Sequence, residues 1–160
     1  MNHNDRLTRL RYALDIKDKD MVEIFALGGL TISKKDYMAL LNKTSDQDAD
    51  ENEYELVCTD EMFERFLNGL IISQRGKKDD SEPVLELNAQ NANNLLLKKV
   101  KIALTLTSDD ILDILADAGV EISNSELSAV LRKEGHRNYK PCGDRYVRNF
   151  LKGLTMGYRD

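Results

Sequence analysis

Apolar residues recur at helical spacing in successive stretches of the chain, separated by polar and glycine-containing breaks. Leu7, Leu10, Ala13 and Leu14 form the first stripe, and Met21, Ile24, Phe25 and Leu27 or Gly28 the second. Gly28-Gly29 ends that second helix, since glycine tolerates the left-handed conformation that closes a helix. Ser33-Lys34-Lys35-Asp36 has the form of a capping box with a short carboxylate, and Tyr37, Leu40 and Leu41 follow as a third stripe. Asp60 is placed to cap a fourth helix, whose Phe63, Phe66, Leu67 and Leu70 fall at i, i+3, i+4 and i+7.

The same order then returns. Val100, Ala103 and Leu104 are followed by Ile111, Ile114 and Leu115, with Gly119 as the stop. Ser123-Asn124-Ser125-Glu126 is a full capping box ahead of Leu127, Val130 and Leu131, and Asp144 is placed to cap Val147, Phe150, Leu151 and Leu154. Shifting the chain by 90 positions gives 13 identities in the 42 pairs that begin at Asn2/Ala92. A shift of 84 superimposes Cys58, Asp60, Phe66, Leu67, Gly69 and Leu70 on Cys142, Asp144, Phe150, Leu151, Gly153 and Leu154. The loop between the two blocks is therefore six residues shorter in the second copy. A period this long is the mark of a duplicated supersecondary unit. The pattern predicts an all-α fold of two tandem four-helix repeats, residues 1–76 and 91–160, joined by an irregular linker over 77–90. That linker carries Pro83 and the short apolar run Val84-Leu85-Glu86-Leu87 and is expected to pack as an extended segment.

With 41% apolar and 32% charged residues in 160, the chain has the composition of a globular protein large enough to hold a core without a metal or disulfide. It has no apolar run near the ~18 residues a membrane span requires. The start, MNHNDRLTRL, is polar and lacks the apolar region of a signal peptide. Two cysteines and no export signal point to the reduced cytoplasm, with no membrane partner.

Charge is uneven. Residues 1–80 carry 17 acids and 12 bases, whereas 81–160 carry 11 of each. Leu131–Arg159 alone holds eight Lys/Arg against Glu134 and Asp144, a basic block within a chain of net charge −5. In the fourth helix of the second copy Arg145, Arg148 and Lys152 recur at i, i+3 and i+7 opposite the apolar stripe, with Lys140, Tyr139, His136 and Arg137 nearby. The matching places of the first copy hold Glu61, Glu64 and Asn68. Equivalent surfaces of opposite sign suggest pairing within the chain or between subunits, or a basic face that grips a nucleic-acid backbone. Two solvated faces that drifted apart would read the same.

Other candidate chemistry is weak. Asp46-x-Asp48-x-Asp50 begins like a calcium loop, but Glu51 stands where glycine belongs and Val57 where the closing glutamate belongs. Cys58 and Cys142 precede equivalent helices, where a helix N-terminus can activate a thiol; a small buried residue at the helix entry is the plainer reading. His136 beside Arg137 is the imidazole with basic company, and nothing recognisable pairs with it. The second and third helices suggest a helix-turn-helix reader, yet the five residues Gly119–Ser123 exceed the usual tight turn. No catalytic residue, metal ligand or cofactor site emerges.

Arg9-Leu10-Arg11-Tyr12-Ala13-Leu14, Ile24-Phe25-Ala26-Leu27-Gly28-Gly29-Leu30 and Phe66-Leu67-Asn68-Gly69-Leu70-Ile71 stand in the first copy, and Lys99–Leu104, Glu126–Ala129 and Arg148–Leu154 in the second. On these motifs the chain resembles the YehS-like family of small bacterial proteins, built from two copies of a helical domain of unknown function. The resemblance implies a soluble bacterial protein of two helical repeats and supplies no catalytic or binding residues. The expected role is a non-enzymatic binding or regulatory module acting through a protein partner or a homodimer. The alternative is a nucleic-acid-binding protein that uses Lys140, Arg145, Arg148 and Lys152.

Overall fold

A computed structural model describes residues 1–159. Over those residues it is all-helical: α1 (His3–Ala13), α2 (Asp18–Leu27), α3 (Lys34–Leu41), α4 (Asp60–Arg75), α5 (Ala92–Ala103), α6 (Ser108–Asp117), α7 (Asn124–Leu131) and α8 (Asp144–Tyr158). Most of the stripe residues become the core: Leu7, Leu10, Phe25, Phe63, Phe66, Val147 and Phe150, joined by Leu96, belong to one continuous buried cluster, whereas Leu27 is 41% exposed and Gly28 takes the buried place. Gly29 and Gly119, at φ +96° and +88°, turn the chain after α2 and α6 in the left-handed region that disfavours a side chain.

The two four-helix repeats are interlocked. Within each repeat α2 lies on α4 and α6 on α8, while α1 touches α3 and α5 touches α7. The first helix of each repeat also packs on the last helix of the other, α1 on α8 and α5 on α4. The centre is thus a four-helix layer of α1, α4, α5 and α8 with pseudo-twofold symmetry, and α2–α3 and α6–α7 flank it. The symmetry reaches the details. Arg75 Nη1 at the end of α4 donates to Thr105 Oγ1 (2.7 Å), and its equivalent Arg159 at the end of α8 donates to Asp15 Oδ1 (2.8 Å). Among the described residues, Asp15 and Thr105 are the two non-glycine residues with positive φ, 53° and 56°.

The flanking crossings are tight because the duplicated glycines have no side chain. A Cβ at Gly69 would sit 1.9 Å from the Ile24 carbonyl oxygen, and one at Gly153 would sit 2.2 Å from that of Ile114. Asn4 and Asn94 fasten each third helix and its following loop to the first. The Asn4 amide donates to the Leu40 and Leu56 carbonyls and accepts from the Cys58 N–H. Asn94 does the same with Val130, Lys140 and Cys142. These bonds satisfy backbone groups that helix ends leave open.

Several caps differ from the sequence expectation. Thr59 caps α4 by accepting from the Met62 N–H, and Gly143 holds the cap position of α8. Asp60 and Asp144 are instead the first helical residues, and their carboxylates turn inward to other partners. Ser33 and Ser123 cap α3 and α7 as expected, but the reciprocal boxes form at Asn2/Asp5 and Thr107/Asp110.

Candidate functional site

Between the halves, at the N-termini of α1 and α5, lies a polar centre that the sequence did not announce. His3 (8% exposed) stacks on Phe63 with ring centroids 5.3 Å apart, and its Nε2 meets Asp60 Oδ1 at 2.6 Å. Arg6 (5% exposed) donates from Nη1 to His3 Nδ1 (3.0 Å) and from Nε to Asn93 Oδ1 (2.8 Å) across the pseudo-twofold axis. Asn93, the equivalent of His3, donates to Asp144 Oδ1 (2.8 Å) and to the Cys142 carbonyl (3.0 Å). Asp144 also lies 3.7 Å from Arg6 Nη2 and 3.1 Å from the Met1 amino group.

This centre is a clamp rather than an acid–base site. An arginine can only donate, so His3 Nδ1 is the acceptor and Nε2 carries the proton that goes to Asp60. Both ring nitrogens are engaged, and neither is free for a substrate. Burial lowers the His3 pKa, Arg6 lowers it further, and the bond to Asp60 only partly opposes this, so the ring is held neutral. Burial acts to raise the Asp144 pKa, but hydrogen bonds from Asn93 and the Met1 amino group, with Arg6 nearby, outweigh it and hold the carboxylate ionised. A cleft of about 610 Å³ borders this centre, lined among others by Met1, His3, Arg6, Tyr54 and Cys58.

Cys58 and Cys142 are buried at the helix entries, and burial pushes both thiols up to about 12. Their helix N-termini do not activate them. His136 is exposed and its Nδ1 accepts from the Asn138 N–H, while a second imidazole in basic company is His3, beside Arg6. Sequence reading passed over His3, Arg6 and Asn93. The one available signal was that the duplicated Asp60/Asp144 each have a polar residue on the first helix, His3 and Asn93, at matching positions. Among the described residues no group of three or more His, Cys, Asp or Glu is placed to hold a metal ion. The acidic loop 44–55 is instead held by Asp5, which accepts from Asn52 Nδ2 (2.9 Å) and the Tyr54 hydroxyl (2.7 Å).

The charged faces of α4 and α8 differ more than their sequences suggest. On α8, Arg145, Arg148 and Lys152 are exposed, as is Lys140 before the helix, and among the described residues none of the four forms an ion pair. Glu61 is exposed and pairs along its own helix with Arg65 (2.9 Å). Glu64 is the correction. It is 1% exposed, because the linker folds over it as an irregular strap. Its Oε1 accepts from the N–H groups of Glu86 (2.8 Å) and Leu87 (2.7 Å), and its Oε2 lies 3.5 Å from Lys99 Nζ on α5. Lys99 also donates to Asn68 Oδ1, and Leu87 is buried beside them. An acidic patch of Glu61 and Glu64 does not exist, and α8 does not pair with it within the chain.

No helix among the described residues is long and apolar enough to cross a membrane. The sequence pattern of a family described as "Protein of unknown function (DUF1456)" matches residues 3–76 and 93–160, one segment in each half. The chain is similar to the "Uncharacterized protein YehS" of Escherichia coli (strain K12), with 40% identity over 155 residues that cover 97% of this chain and 95% of that protein. No solved structure matches.

Proposed function

The chain belongs to the DUF1456 family, whose function is unknown, and from that premise we propose that it is a non-enzymatic binding module holding an acidic partner protein on the outer face of α8. The observation that carries this reading is the contrast between equivalent charges. Glu64 and Lys99 are paired and covered, whereas Arg145, Arg148 and Lys152 stand exposed in a row and, among the described residues, form no ion pair, in a chain of net charge −5. Like charges at i, i+3 and i+7 repel modestly in the free protein, and an acidic surface relieves that repulsion. The inward-turned His3 and the buried, protonated cysteines support a role without catalysis. Two unbridged cysteines, both buried, support residence in the reducing cytoplasm of a bacterium.

The test is capture from cytosol with tagged wild-type protein and an Arg145→Glu/Arg148→Glu/Lys152→Glu variant of unchanged circular dichroism. An acidic protein held by the wild type and released by the variant is the expected result; identical captured sets would sink the reading. If the partner is a second copy, light scattering shows a dimer that the same variant dissociates. A second reading, binding to nucleic acid, is favoured by one feature: exposed Lys133, Arg137 and Lys140 continue the positive surface ahead of α8. It predicts retardation of DNA or RNA at low salt that the variant abolishes, and it fails if neither is retarded.

A further inference from the structure

The pseudo-twofold axis relates two grooves, one between α4 and α5 and the other between α8 and α1. The first is occupied. The strap around Glu86 and Leu87 lies in it, its N–H groups on Glu64, with Lys99 and Asn68 beside that carboxylate. The equivalents of Glu64, Asn68 and Lys99 are Arg148, Lys152 and Arg9. All three are exposed, and among the described residues none makes an ion pair or side-chain hydrogen bond. The positions that meet a strap on one side are therefore exposed on the other, and their polarity is inverted. Where Glu64 accepts backbone N–H groups, Arg148 offers donors, flanked by two further cations.

We infer that the α1–α8 groove binds a non-helical, carboxylate-rich polypeptide segment, seated as the strap is seated on α4–α5 and held by Arg9, Arg148 and Lys152. This rests on the binding face of α8 proposed above and specifies the form of its partner. Two observations fix that form. The occupied groove shows that this helix pair, with this crossing, accepts a single non-helical chain segment. The inverted charge means that the segment is gripped through carboxylates and carbonyl oxygens rather than through its N–H groups, and Arg148 can take a carboxylate with two parallel bonds. The strap itself carries Asp79, Asp80, Glu82 and Glu86, so it has both the shape and the charge required.

The probe is a fluorescent, end-blocked peptide with the sequence of residues 79–88, titrated against the full chain by anisotropy at low salt. Saturable binding is expected, weakened about tenfold or more by Arg148→Glu/Lys152→Glu, as the loss and reversal of two charge pairs implies. Lys133→Glu/Arg137→Glu and Glu64→Gln should leave it within about twofold. A peptide with its four acids replaced by amides should not bind. The inference is overturned if the acidic peptide fails to saturate, if the amide peptide binds equally, or if affinity follows Glu64→Gln and ignores Arg148→Glu. A ten-nucleotide single strand that binds where the peptide does not also overturns it and favours the nucleic-acid reading. If capture of an acidic partner depends on α8 but the peptide does not bind, the proposed function stands and only the non-helical mode falls.

Discussion

Replacing Arg6 by leucine tests the polar centre, and the protein itself suggests the substitution. The equivalent position of the second repeat is Leu96, fully buried in the same central layer, so a leucine is suited to the site in size. What is lost is electrostatic. Arg6 donates one hydrogen bond to Asn93 Oδ1 and one to His3 Nδ1, and it stands 3.7 Å from Asp144. Removing it leaves two buried acceptors without donors, each costing about 1–3 kcal/mol. Asp144 is partly solvated and keeps Asn93 and the Met1 amino group, so loss of its arginine adds little. The gain from burying leucine in place of a guanidinium offsets part of this, leaving a destabilisation of about 2–4 kcal/mol. In a chain of this length that lowers Tm by roughly 4–16 °C. Urea denaturation followed by circular dichroism reads it directly. If Arg6→Leu unfolds within about 0.5 kcal/mol of wild type, the centre does not hold the halves together and the reasoning is wrong.

Acid should act in two stages. Folding keeps the His3 pKa below 6.5, so above pH 6.5 both states are neutral and nothing is lost; as pH falls below 6.5 the unfolded chain takes a proton that the folded chain resists. Stability therefore declines from pH 6.5 downward, and His3→Asn, which copies Asn93, should abolish that stage in urea melts at pH 7.5 and 5. Asp144, held below 3.8, contributes stability that is lost only as pH falls from there through its folded value, so the second stage should survive the substitution. Gly69→Ala would place a Cβ 1.9 Å from the Ile24 carbonyl and should cost about 2–4 kcal/mol, whereas Gly157→Ala, with nothing within 4 Å, should gain up to ~1 kcal/mol. A thermal melt in which the two variants behave alike would contradict the close α2–α4 crossing. Glu64→Ala should release the strap, speeding hydrogen exchange at the Glu86 and Leu87 amides while those of α1 stay protected. Unchanged exchange at those two amides would mean that Glu64 does not anchor the strap.

Much of this architecture is legible in the sequence because helix stripes, glycine stops and serine caps are local signals, and the duplication states each of them twice. Gly69 and Gly153 recur for a reason visible only in three dimensions, the backbone contact with Ile24 and Ile114. The interlock was not legible: α1 could satisfy its apolar stripe against the last helix of either copy, since both present the same pattern. Asp60 and Asp144 looked like caps because a carboxylate at a helix start usually is one; Thr59 and Gly143 take that position and free the acids for His3 and Asn93. Glu64 shows the limit most plainly. Its place opposite the apolar stripe predicts a solvated face, and nothing local to α4 reveals that a strap from twenty residues downstream will cover it. Its equivalent Arg148 has the same local pattern and stays exposed.

One groove is filled by the chain's own strap, and its symmetry mate, basic and lined by exposed side chains, is proposed to receive a partner's. Titrating the isotope-labelled full chain with the peptide of residues 79–88 and following backbone amide shifts tests it most directly. The shifts should concentrate on α1 and α8 around Arg9, Arg148 and Lys152, with the amides of Glu86 and Leu87 undisturbed. Shifts centred on α4, α5 and the strap, or none at saturating peptide, would contradict it.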